Sequence, residues 1–505
     1  MIALTDALIN RFTMYRLTLY YLIFLLGVAL ALSFGGVLPY DPFALLFSIG
    51  FLVGVCGIAN TLFAKAFGVP ANSESVYISA LILALIITPI TAYHDLWFLA
   101  WAGVWAMASK YMLAIRRRHL FNPVAFAVAL TALTINQTAS WWVGTTPMLP
   151  FVLLGGLLLA RKIRRGAMIA SFAVVVLATT VLAGLLGREG VGVGLQNTLL
   201  YSPMLFFGFV ILTEPLTAPP TRRLQIVYGA LVGLLFTPQF HIGRLYTSPE
   251  VAILVGNLFA YLASPKGKLV LQLARKVQVA PDVYDFFFVP QRKLAFVPGQ
   301  YMEWTLGHDD PDSRGNRRYF TLASSPTENH IRLGVKFSRA SSSFKRAMLA
   351  MDAQTEIVAG QLAGDFVLPR DRQQQCVLIA GGIGITPFRS MIKYLLDTGQ
   401  RRPITLFYAG KTPADLVYRE VFEQARRDLG IRTIYSVSEA GDLPRASGMV
   451  GRITPQLIQR EVPSYRECVF YISGPPAMVN AFQRALGEIG IRPGQIKTDL
   501  FSGLT

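Results

Sequence analysis

The sequence predicts a multidomain protein: a polytopic α-helical membrane domain of about ten spans over residues 1–265, then a β-barrel over 266–370 and an α/β domain over 371–505. Three observations lead there. Hydrophobic residues make up 53% of the 505 and the mean hydropathy is +0.45, too apolar for an ordinary soluble chain of this length. Apolar runs of helical length recur before about residue 265 and shrink to strand length after it. Lysine and arginine are also divided unevenly between alternate loops of the first half.

Candidate spans fall at roughly 14–34, 42–63, 74–91, 95–113, 121–139, 147–160, 167–187, 197–216, 224–240 and 250–264, each near the length a bilayer core demands. The first follows "LINRFTMYR" with no small-residue cleavage site soon after it, so it reads as a retained span. With the N-terminus inside, the inner segments carry fourteen basic residues: Arg11, Arg16, Lys65, Arg116, Arg117, Arg118, Arg161, Lys162, Arg164, Arg165, Arg222, Arg223, Lys266 and Lys268. The outer loops carry Arg188 and Arg244. That asymmetry places both termini and the whole second half on the cytoplasmic side of a bacterial-type inner membrane. Trp141 and Trp142 are expected at the outer interface, where amphipathic rings gather. The net charge of +18 is then largely topology plus affinity for anionic lipid, and no nucleic-acid partner is expected.

Three cysteines, Cys56, Cys376 and Cys468, are too few and too scattered for a disulfide framework or an iron–sulfur cluster. Of the five histidines, His308 and His330 lie in the second half, while His94, His119 and His241 fall at span ends. A stack of bis-imidazole haems needs about four intramembrane histidines. No haem and no metal site are therefore expected, and the redox group within the bilayer should be organic, a flavin or a quinone. Glu214, beside Pro215 and following Thr213 at a span end, is the acidic residue to single out. It reads as a pocket wall or a proton or cation ligand, or as a carboxylate paired with Arg222 or Arg223. Asn122 and Glu74 read equally as ligands or as helix-end caps.

The second half changes register. "VYDFFFV" (283–289) is strand-like, and "CVLIAGGIGITPFRSMIKYLL" (376–396) is an apolar strand, a glycine turn and a helix, the opening of a βαβ unit. Gly381, Gly382 and Gly384 let a backbone approach a pyrophosphate at a helix N-terminus. Upstream, "RRYFTLASSP" (317–326) sets an arginine, an aromatic ring and a hydroxyl in close order, followed by "GVKF" (334–337), "SSSFKRAML" (341–349) and "GDFVLP" (364–369).

These motifs, in this order, resemble the ferredoxin-NADP reductase superfamily over essentially all of 268–505. The resemblance implies that Arg318 forks onto a flavin pyrophosphate, that Phe320 (after Tyr319) covers one ring face, and that Thr321 bonds the flavin N5. Ser324, Val335, Lys336, Ser342 and Ser343 are the further flavin contacts it implies, and FAD is favoured over FMN. Thr386 and Pro387 would shape the nicotinamide seat, met from the other side by Ser473, Gly474, Pro475 and Pro476 of "YISGPPAMV", with Ser473 where the family has cysteine. Phe501 in the C-terminal "DLFSGLT" would shield the other flavin face. Thr321, Ser473 and Phe501 form the implied catalytic set. Glu439, following Ser438, suits the ribose hydroxyls of NADH better than the phosphate of NADPH, although Arg445 or Lys411 could reverse that choice.

The first half is similar to the NqrB/RnfD family in "SESVYISALILALIITP" (73–89), "FNPVAFAVAL" (121–130) and "GFVILTEPLTAPPTRRLQIVYGALVGLLF" (208–236). This likeness implies a flavin-binding electron-transfer membrane domain. The family's Ser-Gly-Ala-Thr site for covalent FMN is absent from the 505 residues, so a non-covalent FMN or riboflavin is the expectation, with Glu214, Asn122 and Thr213 as candidate contacts. Electrons would pass from NAD(P)H through FAD to that group and on to an acceptor protein at the outer face. Quinone reduction in the bilayer and redox-coupled cation transport are the alternatives. A homo-oligomer is compatible with the sequence.

Overall fold

The computed structural model describes residues 12–68, 73–115, 118–163, 165–187, 190–237, 241–242, 245–263, 269–290, 294–309, 312, 316–338, 341–353, 355–439 and 448–499. The chain divides into two compact units, Met1–Gly267 and Lys268–Thr505.

The first unit is helical. Its helices are α1 (Met14–Phe34), α2 (Pro42–Ala66), α3 (Ser73–Ile86), α4 (Asp95–Met112), α5 (Pro123–Ile135), α6 (Leu149–Ile163), α7 (Gly166–Leu185), α8 (Val191–Leu200), α9 (Met204–Phe206), α10 (Arg222–Phe236) and α11 (Pro249–Ala263). Two hairpins of two-residue strands join some of them, β1 (Ala114–Ile115) with β2 (Arg118–His119) and β3 (His241–Ile242) with β4 (Leu245–Tyr246). A helix thus stands at each of the ten expected positions, but the expectation of about ten full spans is corrected. Among the described residues three helices, α1, α2 and α7, are long and apolar enough to cross a membrane, or four if α8 and the run Met204–Ile211, bent by 56° from it, count as one span. At α5 the shortening comes from local capping. Asn122 caps α5 by accepting from the Ala125 amide at 3.0 Å, with Pro123 at the first helical position, and Asn136 ends the helix in the left-handed conformation. An apolar run longer than its helix therefore finishes in extended chain that hydropathy cannot distinguish from helix.

Trp141 and Trp142, expected at the outer interface, are packed inside the helical unit. They are 7% and 2% exposed. The Trp141 Nε1 donates to Glu250 Oε1 at 2.6 Å, and the Trp142 Nε1 to the Ala84 and Ile87 carbonyls, each at 3.0 Å. A buried indole needs such a partner, and these partners are 55 to 109 residues away, beyond the reach of a local reading.

The second unit begins with a six-stranded antiparallel sheet of β5 (Leu269–Ala280), β6 (Val283–Pro290), β7 (Tyr301–Thr305), β8 (Arg317–Thr321), β9 (Ile331–Lys336) and β10 (Glu356–Ala363), in the order β8-β7-β10-β5-β6-β9. The edges approach each other just past β8, where the Ala323 amide donates to the Arg332 carbonyl at 2.9 Å. Alternate residues of β9, Ile331, Leu333 and Val335, face a core with Phe286, Phe288 and Trp304. Helix α12 (Ser343–Ala350) follows β9.

A six-stranded parallel sheet comes next: β11 (Cys376–Gly381), β12 (Ile404–Gly410), β13 (Arg432–Val437), β14 (Gly448–Val450), β15 (Val469–Ser473) and β16 (Ile496–Asp499), in the order β14-β13-β12-β11-β15-β16. All six residues of β11 are buried, as a central strand covered on both faces must be. Helices α13 (Thr386–Thr398), α14 (Arg419–Leu429), α15 (Pro455–Glu461) and α16 (Pro476–Glu488) cover it, and separate apolar clusters fill its two faces. The chain leaves β11 towards β12 on one side and later returns to β15 on the other. The strand order therefore reverses between β11 and β15, and the crevice at their carboxyl ends, Gly381 and Ser473, is where ligands bind in such sheets.

Candidate functional site

At that crevice the two glycine turns are packed together. A Cβ on Gly384 would lie 2.4 Å from the Ser473 carbonyl and 2.6 Å from the Gly474 Cα, so only glycine fits. Gly382 has φ +54 and open space above it, a backbone that a ligand can approach closely. Thr386 and Pro387 open α13, and Pro475 and Pro476 open α16, so two helix N-termini face the crevice.

The flavin motif lies on β8, paired with β7 so that Trp304 opposes Arg318 and Met302 opposes Phe320. Arg318 is 5% exposed, its guanidinium 5.2 Å from the Phe344 ring centre. Phe320 stands 6.1 Å from the same ring. Tyr319 points elsewhere, its hydroxyl donating to Glu303 Oε2 at 2.9 Å. Ser342 caps α12 by accepting from the Lys345 amide at 3.3 Å. The Ser343 amide donates to Asp312 Oδ2 at 3.0 Å, while the other oxygen of Asp312 lies 3.6 Å from Arg318 Nη2. A carboxylate thus sits on the donor pair, helix amide and guanidinium, expected to hold a pyrophosphate. The residues present fit an anionic group of that kind.

Other implied contacts divide. The Val335 side chain is 2% exposed within the sheet core, which leaves only its backbone for a cofactor. Lys336 Nζ lies 3.3 Å from Asp415 Oδ1. The Ser324 hydroxyl accepts from the Arg332 amide at 3.1 Å, and its carbonyl accepts from Ser390 Oγ at 2.6 Å. Ser438 and Glu439 follow β13, with their amides on the Gly410 and Lys411 carbonyls. Phe501 and Arg445 lie outside the described residues.

Sequence reasoning missed Asp499. Its carboxylate accepts from the Thr321 hydroxyl at 3.0 Å and from the Ser473 hydroxyl at 3.5 Å, and the residue is 8% exposed. It ends β16 directly opposite Ser473 in the parallel register. The flavin strand and the nicotinamide strand end are therefore joined through one buried acid. The available signal was an acidic residue closing the last strand, at the head of "DLFSGLT".

In the helical unit the Glu214 carboxylate accepts from Asn122 Nδ2 at 2.8 Å and from Thr217 Oγ1 at 3.0 Å, both on Oε2. Both are neutral donors. Asn122 caps α5 and also joins a chain of side-chain bonds: its own amide donates to Asn257 Oδ1 at 2.7 Å, and Asn257 Nδ2 donates to the Tyr228 hydroxyl at 3.0 Å. The Thr213 hydroxyl turns back to the Phe209 carbonyl at 2.6 Å, outside this chain of bonds.

Residues 378–484 match the family model described as an oxidoreductase NAD-binding domain. Curated relatives include flavohemoproteins of Bacillus subtilis, 28% identical over 45% of this chain and 58% of theirs, and of Pseudomonas aeruginosa, 28% identical over 47% of this chain and 59% of theirs. The chain thus spans about three fifths of the length of the curated relatives it matches. Similar solved structures include the cytochrome P450 reductase GcoB of Amycolatopsis, at 25% identity and a TM-score of 0.42 over 47% of this chain and 71% of that one. Another is the cytochrome b5 reductase domain of Ulva prolifera nitrate reductase, at 22% and 0.41 over 47% of this chain and 98% of that one. The C-terminal half is an NAD(P)H-dependent flavin oxidoreductase module with sites for FAD and NAD(P)H. The two curated relatives named here are flavohemoproteins.

Proposed function

We propose that the protein is a membrane-bound NAD(P)H-oxidising flavoprotein whose reductase half feeds electrons into its helical half. There a bound flavin carries them towards an acceptor at the outer face. The observation that carries the redox part is the Thr321–Asp499–Ser473 junction. Thr321 donates its own proton to Asp499, so its hydroxyl oxygen keeps lone pairs for a donor in the crevice. Ser473 is held towards the same carboxylate from the nicotinamide side. Arg318 and the α12 N-terminus supply positive charge for a pyrophosphate, and the Gly381–Gly384 turn supplies open backbone for a second. Bound there, FAD supplies acceptance of a hydride and the release of its electrons one at a time.

Surface composition supports the membrane part. Apart from Val277, Val289 and Val297, every exposed large apolar residue among those described lies between Tyr20 and Leu262, and Phe43, Trp97, Leu133 and Leu185 are each 70% exposed or more. So much apolar surface in one unit calls for a cover, and lipid fits the fourteen-to-two distribution of basic residues. The likeness of the first half to NqrB/RnfD proteins belongs to this proposal. The haem in the relatives' name is theirs. With five histidines in the sequence, the route proposed here is haem-free and organic.

The test is the full-length protein, purified in detergent and mixed anaerobically with NADH or NADPH. The flavin absorbance should bleach, the extracted flavin should exceed one FAD per chain, and sealed inverted vesicles should reduce an impermeant acceptor trapped inside. A failure to bleach would refute the reductase reading, and a haem spectrum would refute the organic route.

A further inference from the structure

The two sheets of the reductase half meet along a seam that the nucleotide motifs do not use. Asp285, on β6, has no exposed surface. Its carboxylate accepts from Arg332 on β9, through Nε at 2.8 Å and through Nη2, and from the Tyr418 hydroxyl at 2.5 Å. Tyr418 comes from the other lobe, where it begins α14 with φ +64. A non-glycine residue held left-handed is strained and persists where its surroundings over-determine it. Those surroundings are visible: the guanidiniums of Arg332 and Arg389 lie 4.8 and 5.5 Å from its ring centre.

The peg and the arginine beside its ring both lie close to the reacting region. Arg389, three residues beyond Thr386 on α13, donates to the Ala323 carbonyl at 2.7 Å, two residues past Thr321. On β9, a Cβ at Gly334 would lie 2.4 Å from the Tyr418 hydroxyl oxygen and 2.9 Å from Thr386 Cγ2. The peg and the nicotinamide turn thus press on the same backbone point of the flavin-binding sheet.

We propose that Tyr418 is a positioning residue for hydride transfer, fixing the gap between the Gly381–Thr386 turn and the Arg317–Thr321 strand. The proposal rests on the reductase reading above. Hydride transfer needs reacting atoms about 3–3.5 Å apart, and a misplacement of about 1 Å costs on the order of a hundredfold in rate. A short, fully buried bond from hydroxyl to carboxylate across the seam is stiff enough to set a gap on that scale.

The experiment uses the full-length protein with FAD, comparing wild type with Tyr418→Phe, Gly334→Ala and the double variant. Anaerobic rapid mixing with NADH and with its 4-deuterated form gives the limiting rate of flavin reduction, the half-saturating concentration and the isotope effect. Tyr418→Phe should lower the limiting rate about tenfold, with half-saturation and FAD content unchanged. Gly334→Ala should lower it further. Adding Tyr418→Phe to Gly334→Ala should raise the rate, because the oxygen that the new methyl meets is gone. The proposal is overturned if Tyr418→Phe reduces its flavin at the wild-type rate per bound FAD, whether or not it melts earlier, or if the two losses simply add. Wild-type protein that is not bleached by NADH would sink the reductase reading instead, so the two failures are distinguishable.

Discussion

Replacing Asp499 with asparagine tests the junction at its centre. The substitution keeps the shape and one acceptor oxygen while removing the charge that both hydroxyls address. The Thr321 bond, at 3.0 Å in a site 8% exposed, is the substantial one, and the Ser473 bond, at 3.5 Å, lies at the limit of a hydrogen bond. A hydrogen bond to a charged group contributes about 1.5–3 kcal/mol. If that orientation matters only once hydride is moving, the loss falls on the limiting rate of flavin reduction and amounts to roughly 10- to 150-fold, at about 1.4 kcal/mol per factor of ten. The assay is anaerobic rapid mixing of the FAD-loaded protein with deuterated and undeuterated NADH. The expected pattern is a slower limiting rate, a larger isotope effect and an unchanged flavin content. Wild-type rate and isotope effect in Asp499→Asn would refute the reasoning. Loss of FAD with a normal rate per bound flavin would assign the residue to folding alone.

Arg318→Ala should weaken FAD binding by about 10- to 150-fold, the same 1.5–3 kcal/mol for charged hydrogen bonds, read by flavin retained on gel filtration. Gly384→Ala places a methyl against the Ser473 carbonyl and the Gly474 Cα; flavin reduction by dithionite should survive while reduction by NADH is lost. Burial raises the Glu328 carboxyl, but the hydrogen bonds and charge of Arg389, with the Ser325 amide and Arg332, outweigh it and hold the group below its ordinary 4.5. A depressed carboxylate contributes stability that is present above the unfolded value and lost as pH falls through the folded one. The melting temperature of the purified protein should therefore lose that share as pH falls below about 4.5, and Glu328→Gln should abolish that share of the drop.

The reductase half was legible because its chemistry is written in contiguous stretches. The turn from Gly381 to Pro387 and the decapeptide from Arg317 to Pro326 each fold as one local unit, strand to helix or strand to loop, so residue order alone foretells which groups meet. Asp499 was missed because its two partners stand 178 and 26 residues away, brought beside it only by the order of the parallel strands. Tyr418 was invisible for the same reason, 133 residues from the carboxylate it meets. In the helical half, hydropathy found where the helices lie and failed on their lengths, because caps such as Asn122 and Asn136 end them inside the apolar runs.

Glu214 shows how far a local reading reaches and where it stops. Its proximity to Arg222 and Arg223 in sequence suggested a surface pair, yet the backbone between Met204 and Pro215 is not a plain helix. Residues Phe207–Ile211 form a π turn, with the Leu212 amide on the Phe207 carbonyl at 2.9 Å. Such turns insert a residue and rotate everything after them, and they occur frequently at functional sites. Past this one, the Thr213 and Glu214 carbonyls take Arg165 at 3.4 and 3.5 Å, and the carboxylate faces Asn122. Arg165 thus reaches the two carbonyls beside Pro215, and the acid takes an amide donor from the start of α5 and a hydroxyl donor three residues further along its own segment. The acid therefore takes two neutral donors on one oxygen, with Arg165 close by on the neighbouring carbonyls. The geometry thus gives Glu214 a partner at the start of α5 that its sequence proximity to Arg222 and Arg223 did not foretell.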